Sequence, residues 1–291
     1  MPPLSANIII LNYNGAELLP KCLPSIAEAA AASSYPVRVT VLDNLSTDNG
    51  LDYVRSNFPS VKIEIAAANR FLCSYNDCLK KMTEPVAILL NNDIRVDKNF
   101  AAPLLKKFEE DPQAFLAAPR SMTFDGKSLE AGRSKAGVKW GIFWCEARYQ
   151  GYENDMMMPS ETFSSGFGAF SREKFLALGG YDDGFLPGIM EDVDLCYRAR
   201  RAGFHLYYEP QSVVYHIGQA SFKKAFGEYK IKVLAHRNSF LFMWKNFRGP
   251  LFWLSHLFFL PLRLLYACLR GDFSLLEGFS NACRMSGRGK R

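Results

Sequence analysis

Val86-Ala87-Ile88-Leu89-Leu90-Asn91-Asn92-Asp93 is an apolar run that breaks into two amides and a carboxylate. A short continuous apolar run bounded by polar residues reads as a strand buried on both faces. Three further runs share the pattern: Ile8–Leu11 leads into Asn12-Tyr13-Asn14-Gly15, Val37–Leu42 into Asp43-Asn44, and Val61–Ile65 toward Asn69. Between them, Ala16–Ala32, Gly50–Asn57 and Ser74–Met82 read as helices. Such alternation predicts an α/β fold with a mainly parallel, Rossmann-like central sheet flanked by helices, whose ligands bind at the carboxyl ends of the strands. The polar clusters lie where that rule puts them. A second acidic element, Glu191-Asp192-Val193-Asp194-Leu195, stands about a hundred residues further on. Two acidic clusters so far apart have little reason to coexist unless the fold brings them to one site, and a nucleotide–metal site facing a general base is the simplest such site.

The chain is long enough for one large domain or two small ones. With 48% hydrophobic and 22% charged residues, a packed core is expected and global disorder is excluded. Seven scattered cysteines form neither a C-x-x-C pair nor a zinc spacing, which reads as reduced thiols in a cytosolic protein. Met1 to Asn7 lacks the basic start and long apolar stretch of a signal peptide, so the catalytic body is expected in the cytoplasm. From Pro119 to Phe163 the pattern weakens and a loop-rich segment is expected, its Met156-Met157-Met158 run filling gaps in the core or forming a lid. Regularity returns with Phe163–Phe170, a helix from Arg172 to Leu178, the turn Gly179-Gly180, and a helix from Glu191 to Ala202 closed by Gly203.

Charge divides the chain. Residues 1–221 hold 22 Lys and Arg against 26 Asp and Glu, a net of −4, whereas residues 222–291 hold 13 against 3, a net of +10. The division predicts an acidic catalytic domain over 1–221 and basic amphipathic helices over 222–291 that seek an anionic surface. Within that tail, Pro250–Leu269 is apolar enough and long enough to span a bilayer. Arg263 would lie deep in hydrocarbon and Pro261 interrupts the run. His256, Arg263 and Arg270, spaced by seven, fall near one face, so the expected arrangement is a helix lying in the membrane interface with that face toward lipid phosphates. A span and a buried core or dimer helix are the alternative readings. Lys245, Arg248, Arg284, Arg288, Lys290 and Arg291 support contact of residues 245–291 with the inner face of the plasma membrane. Aliphatic residues interleaved with the charges argue against a nucleic-acid partner.

Six motifs in order carry a resemblance: Leu11-Asn12-Tyr13-Asn14-Gly15, Leu42-Asp43-Asn44-Leu45-Ser46-Thr47-Asp48, Leu89-Leu90-Asn91-Asn92-Asp93, Gly179-Gly180-Tyr181-Asp182, Glu191-Asp192-Val193-Asp194-Leu195 and Val214-Tyr215-His216. Over residues 7–218 the chain resembles the family 2 glycosyltransferases, which have the GT-A fold and are inverting and metal-dependent. The basic tail resembles that of members acting on polyprenyl-linked intermediates of surface polysaccharides. The resemblance implies a nucleotide-sugar donor carrying UDP or dTDP, a lipid-linked or oligosaccharide acceptor, and a divalent cation, Mn2+ or Mg2+. It implies that Asp192 is the base that deprotonates the acceptor hydroxyl, with Glu191 holding a hydroxyl beside it. Asn12, Tyr13, Asn14, Asp43, Asn69, Asn91, Asp93 and Gly166 would line the nucleotide sugar, Asp43 reading the imide N–H of the base. Asp93 and His216 would hold the metal.

Two positions depart from the family pattern. Asn91 stands where the family's Asp-x-Asp element begins, leaving Asp93 as its one carboxylate, and Phe71 replaces a glycine that lets backbone approach the donor. These departures keep open a catalytically degenerate binding module that tethers a complex at the membrane. A nucleotidyltransferase would need a Gly-rich, basic phosphate loop near the N-terminus, which Asn12-Tyr13-Asn14-Gly15 is not.

Overall fold

A computed structural model of the chain describes residues 4–218 and 225–288. The elements run β1 (Ala6–Asn12), α1 (Leu19–Ala32), β2 (Val37–Asp43), α2 (Gly50–Asn57), β3 (Lys62–Ile65), α3 (Tyr75–Lys81), β4 (Val86–Asn91), β5 (Ile94–Val96) and α4 (Ala101–Glu110). They continue with β6 (Ala114–Thr123), β7 (Leu129–Ala131), β8 (Lys135–Lys139), β9 (Ile142–Glu146), α5 (Tyr152–Asp155), β10 (Ser160–Glu161), β11 (Gly168–Ser171), α6 (Arg172–Ala177), α7 (Glu191–Arg201) and β12 (His205–His216). Three helices close the chain: α8 (Glu228–Asn246), α9 (Pro250–Leu269) and α10 (Phe273–Arg288).

The main sheet has the order β10-β12-β6-β11-β4-β1-β2-β3, with β5 beside β12 and β7 beside β6. Pairing is parallel through β3-β2-β1-β4, as the alternation predicts. Beyond β4 the sheet is mixed, because β11 runs antiparallel to both β4 and β6, and β12 then runs parallel to β6. Two antiparallel steps restore direction, so β1, β2, β4, β6 and β12 all end at the same edge. The period-2 alternation explains why the strands read as unbroken apolar runs. Ile8, Ile10, Ile88 and Leu90 pack into one core, while Ile9, Ala87 and Leu89 face a second core across the sheet. Each such buried Ile or Leu contributes about 1.5–3 kcal/mol relative to exposure.

The Pro119–Phe163 segment is more regular than its composition suggests. It holds the end of β6, β7, the separate hairpin β8–β9, α5 and β10, with Met156 buried in the core and Met157 and Met158 exposed. The hairpin turns through Trp140-Gly141, both at positive φ (54° and 67°) as a type I′ turn requires. Trp in place of the usual Asn or Asp removes the sequence signal. Gly141 has a second reason to be glycine: a Cβ there would sit 2.3 Å from the backbone nitrogen of His256 in α9.

The expected boundary at residue 221 falls among residues 219–224, outside the described residues, as do Lys290 and Arg291 of the basic tail. The tail helices share a third core with the body, in which Phe240, Phe242 and Met243 of α8 and Ala267 of α9 meet Phe143, Phe185 and Val193. Polar contacts reinforce it. Asn238 is fully buried, and its Nδ2 lies 2.7–2.8 Å from the carbonyls of Phe185, Gly188 and Ile189. Lys245 Nζ reaches Asp182 (2.7 Å) and Asp194 (3.1 Å), and Asn246 Nδ2 donates to Asp194 (2.9 Å). Lys245, expected to face lipid, is thus committed to the protein.

Helix α9 is turned over relative to expectation. His256 is buried, its Nδ1 2.7 Å from the Gly141 carbonyl and its Nε2 3.2 Å from Trp244 Nε1. Arg263 is half-buried on the same side. The His256 end of the face expected toward lipid phosphates therefore meets the body, because the β8–β9 turn and α8 supply its polar partners, whereas Arg270 at the other end stays exposed. The apolar face points outward: Leu251, Leu254, Leu257, Phe258, Leu262, Leu265, Tyr266 and Leu269 are all more than half exposed. Only 11% of the helix's most apolar stretch is buried, so α9 is not a core helix among the described residues.

Replacing Asn238 with leucine removes the side-chain donor to the Gly188 and Ile189 carbonyls just before α7, while Phe185 O keeps Gly188 N. Asn238→Leu is expected to cost about 1–3 kcal/mol, read as a lower urea midpoint with an unchanged m value.

Candidate active site

The carboxyl edge of the sheet gathers most of the expected residues. Asn12, fully buried at the end of β1, donates through Nδ2 to Asp43 Oδ1 (2.8 Å) and Ser46 Oγ (3.2 Å), while its Oδ1 accepts from Asn92 Nδ2 (2.8 Å). Asp43 also accepts from Ser46 Oγ (2.6 Å) and Ser46 N (2.9 Å). Three of its roughly four acceptor positions are filled from within the fold, and one on Oδ2 remains. Asn14 adopts φ 49°, and its Oδ1 accepts from Thr47 N (2.8 Å). Tyr13 beside it is exposed. Strand ends β1, β2 and β4 are therefore laced together beneath a surface that carries Tyr13.

Asn69 accepts from Phe71 N (3.2 Å), and Phe71 holds φ 51°. The phenylalanine thus takes up the left-handed backbone that a glycine would adopt freely, at a cost of order 1–2 kcal/mol. The loop keeps the glycine-like turn, with a ring added that lies 6.1 Å from that of Phe226. Asn76 locks the neighbouring Gly179–Asp182 turn, donating to Tyr181 O (2.8 Å) and accepting from Tyr181 N (2.9 Å).

The two acidic clusters meet through β11. Gly168 at its start pairs with Leu89 near the end of β4. Two residues earlier, a Cβ on Gly166 would lie 3.4 Å from Asp192 Oδ2. Between them, the Phe167 ring is 5.9 Å from that of His216, whose Nε2 is 3.4 Å from Asp93 Oδ2. A continuous line of contacts therefore joins Asp192, Gly166, Phe167, His216 and Asp93. Asn91 is half-buried at the strand end, and its side chain makes no hydrogen bond among the described residues.

His216 lies between two carboxylates, since its Nδ1 is 3.0–3.1 Å from both oxygens of Glu130. Burial pulls the imidazole down, but hydrogen bonds to Asp93 and Glu130 outweigh it and carry its pKa up to about 10. Glu130 is also held by Ser121 Oγ at 2.7 Å. Nothing in the sequence singled out Glu130, which falls in the weakly patterned segment. Among the described residues no three His, Cys, Asp or Glu side chains converge as a metal-binding set. Asp93 and His216 nevertheless suit a hard divalent cation whose other positions come from phosphate oxygens. Asp93 Oδ1 is buried without a partner among the described residues, an acceptor that such a cation would satisfy.

Glu191 and Asp192 open α7. Glu191 is buried and its Oε2 has no partner. Burial, with Asp192 beside it, pushes its carboxyl up to about 8, and burial raises Asp192 too. Two adjacent desolvated carboxyls favour one shared charge, which makes the ionised one a stronger base than a free aspartate. Asp194 points away, paired with Arg198 (2.7 Å) as well as with the tail.

A carboxyl whose folded-state pKa lies above its unfolded value weakens the fold as pH rises from the lower value to the higher. For Glu191 that window runs from 4.5 to about 8. Glu191→Gln is expected to melt on the order of 5 °C higher than the parent at pH 8, with the gap shrinking toward pH 4.5. A gap independent of pH would disprove the assignment.

Comparison with known proteins matches these observations. The model of the family described as Glycosyl transferase family 2 matches residues 7–178. An N-acetylglucosaminyl-diphospho-decaprenol L-rhamnosyltransferase of Mycobacterium tuberculosis is 25% identical over 233 residues, covering 72% of this chain and 75% of that protein. The crystal structure of GalNAc-T7 with UDP, GalNAc and Mn2+ superposes with a TM-score of 0.59 at 19% identity, over 74% of this chain; the chain spans 43% of that one. The mannosyltransferase PcManGT from Pyrobaculum calidifontis, in complex with GDP-Man and Mn2+, gives a TM-score of 0.57 at 16% identity, over 97% of this chain and 75% of its own. The fold is that of the GT-A glycosyltransferases. With more than half of its length matched by the family model, the chain belongs to glycosyl transferase family 2.

Proposed function

We propose that the protein is a metal-dependent inverting glycosyltransferase of cell-surface polysaccharide assembly. It moves a sugar from a UDP or dTDP donor to a hydroxyl of a lipid-linked glycan at the cytoplasmic membrane face. The observation that carries this reading is the convergence of Asp93 and His216 with Glu191 and Asp192 on one sheet edge, through Gly166 and Phe167. The likeness to a rhamnosyltransferase named for a diphospho-decaprenol substrate supports the lipid-linked acceptor. The outward apolar face of α9 supports a seat on the membrane.

In this reading the base and ribose lie over Tyr13, with the remaining acceptor position of Asp43 Oδ2 directed to the imide N–H. Asn12, Asn14 and Asn69 shape that floor, and Asn91, whose amide is free for a ligand, binds a hydroxyl of the donor. Asp93 and His216 would hold the divalent cation, which supplies charge neutralisation to the departing diphosphate. Asp192 takes the proton from the acceptor hydroxyl as its oxygen bonds to the anomeric carbon, and the bond to the nucleoside diphosphate breaks on the opposite side. Gly166 leaves space at Asp192 Oδ2 for the reacting sugar. Glu191, protonated at neutral pH, donates a hydrogen bond to a sugar hydroxyl.

Asp192→Asn is expected to lower transfer about 10²–10⁴-fold while keeping the thermal shift induced by donor with Mn2+. A donor at 100 times its Kd adds about 2.7 kcal/mol, readily seen in such a shift. Turnover retained in the variant would remove Asp192 from its role. No shift with any UDP or dTDP sugar, from a folded sample, would favour the degenerate binding module. His216 is also expected to release about one proton when Mn2+ and donor bind at pH 8, seen as a binding enthalpy that changes with the ionisation enthalpy of the buffer.

A further inference from the structure

Helices α8, α9 and α10 line an open cavity of about 880 Å³ that shares no residue with the candidate active site. Four of its lining residues are basic: Lys232 and His236 from α8, Arg263 from α9, and Arg270 at the end of α9. Glu228 and Asp272 also line it, so the cavity keeps a net positive charge with His236 neutral. Asp272 is engaged as the cap of α10, accepting from Ser274 N (3.2 Å) and Ser274 Oγ (2.5 Å). Lys232, Arg263 and Arg270 form no ion pair among the described residues.

Arg263 is the informative member. Its guanidinium is desolvated enough to lower its pKa, yet no carboxylate or carbonyl receives it among the described residues. A partly buried cation without a directly paired carboxylate is costly, and an anion entering the cavity would lower that cost. The mouth of the cavity shows where the anion comes from. Tyr266 lines the cavity and is also 63% exposed on the outward apolar face of α9, between exposed Leu265 and Leu269. A phosphate here would therefore have an apolar surface running away from it.

We propose that this cavity receives the phosphate headgroup of an anionic membrane lipid, whose acyl chains lie along the apolar face of α9. The inference rests on the seating of α9 on the membrane, and it adds a specific headgroup site to what would otherwise be a purely apolar attachment. Arg263 supplies the planar fork that grips phosphate oxygens, with Lys232 and Arg270 adding charge from the flanking helices.

The test is vesicle co-sedimentation of the full chain on phosphatidylcholine, with and without phosphatidylglycerol. The parent is expected to bind both and to gain on adding phosphatidylglycerol. Combining Lys232→Gln, Arg263→Gln and Arg270→Gln should reduce that gain about fivefold per charge. Combining Lys98→Gln, Lys106→Gln and Lys127→Gln, exposed lysines far from the tail in sequence, should leave it intact. Equal losses in the two triple variants would mean diffuse electrostatics and overturn the site. Stabilisation of the parent by inorganic pyrophosphate alone, without any gain on phosphatidylglycerol, would assign the cavity to a free phosphate and overturn the lipid. Hydrogen exchange on the parent needs no variant: phosphatidylglycerol should add protection at residues 228–236 and 263–275, and protection confined to 251–262 would refute the proposal. Binding of the parent to neither vesicle would instead remove the membrane seat itself, while the transferase assay stands apart.

Discussion

Parallel pairing sends the ends of β1, β2 and β4 to one edge, and the buried amide of Asn12 joins them there. It gives both hydrogens to Asp43 and Ser46 and receives one from Asn92. An amide can do this because it donates and accepts at once; an aspartate would repel Asp43, and a leucine would strand Asn92 Nδ2 and take one hydrogen bond each from Asp43 and Ser46. The loops that present Tyr13, Asn14 and Asp93 are fixed relative to one another by this single side chain. The second half of the site depends on the antiparallel insertion of β11, which lays Gly166 against Asp192 and Phe167 against His216.

The electrostatics of the two halves are opposite in kind. Around His216, two carboxylates and one cation approach neutrality, and the proton is held tightly. Around Glu191 and Asp192, two carboxyls share a desolvated corner with no cation, and protons are retained for the opposite reason. One half therefore holds its proton on an imidazole set between two carboxylates. The other holds its proton on a carboxyl kept from water.

Much of this was legible in the chain because the parallel strands are short, apolar and closed by polar residues. The helix Gly50–Asn57 matches its expected limits, and the helix opened by Glu191 ends one residue earlier than expected. What escaped has physical reasons. The β8–β9 hairpin turns through Trp140-Gly141, where only one of two positive-φ residues carries a sequence signature. Glu130 comes from a three-residue strand with no periodicity, and only tertiary pairing brings it to His216. The seven-residue spacing of His256, Arg263 and Arg270 located a polar face on α9 correctly, but spacing cannot say whether protein or lipid covers it. The body already offered a carbonyl and an indole to His256, and that settled the direction.

The turn that receives His256 also carries Trp140, whose ring lies 6.2 Å from that of Phe259, and both Trp140 and Val138 are exposed beside the outward face of α9. A cylinder resting on a flat boundary can roll about its long axis, and every site above it would swing with the roll. On the proposed membrane seat, a hairpin tip at its flank would act as an outrigger and leave one stable attitude. Because the same hairpin shares a core with α8 and the start of α7, that attitude, on the proposed membrane seat, would set the height and tilt of Asp192 above the plane.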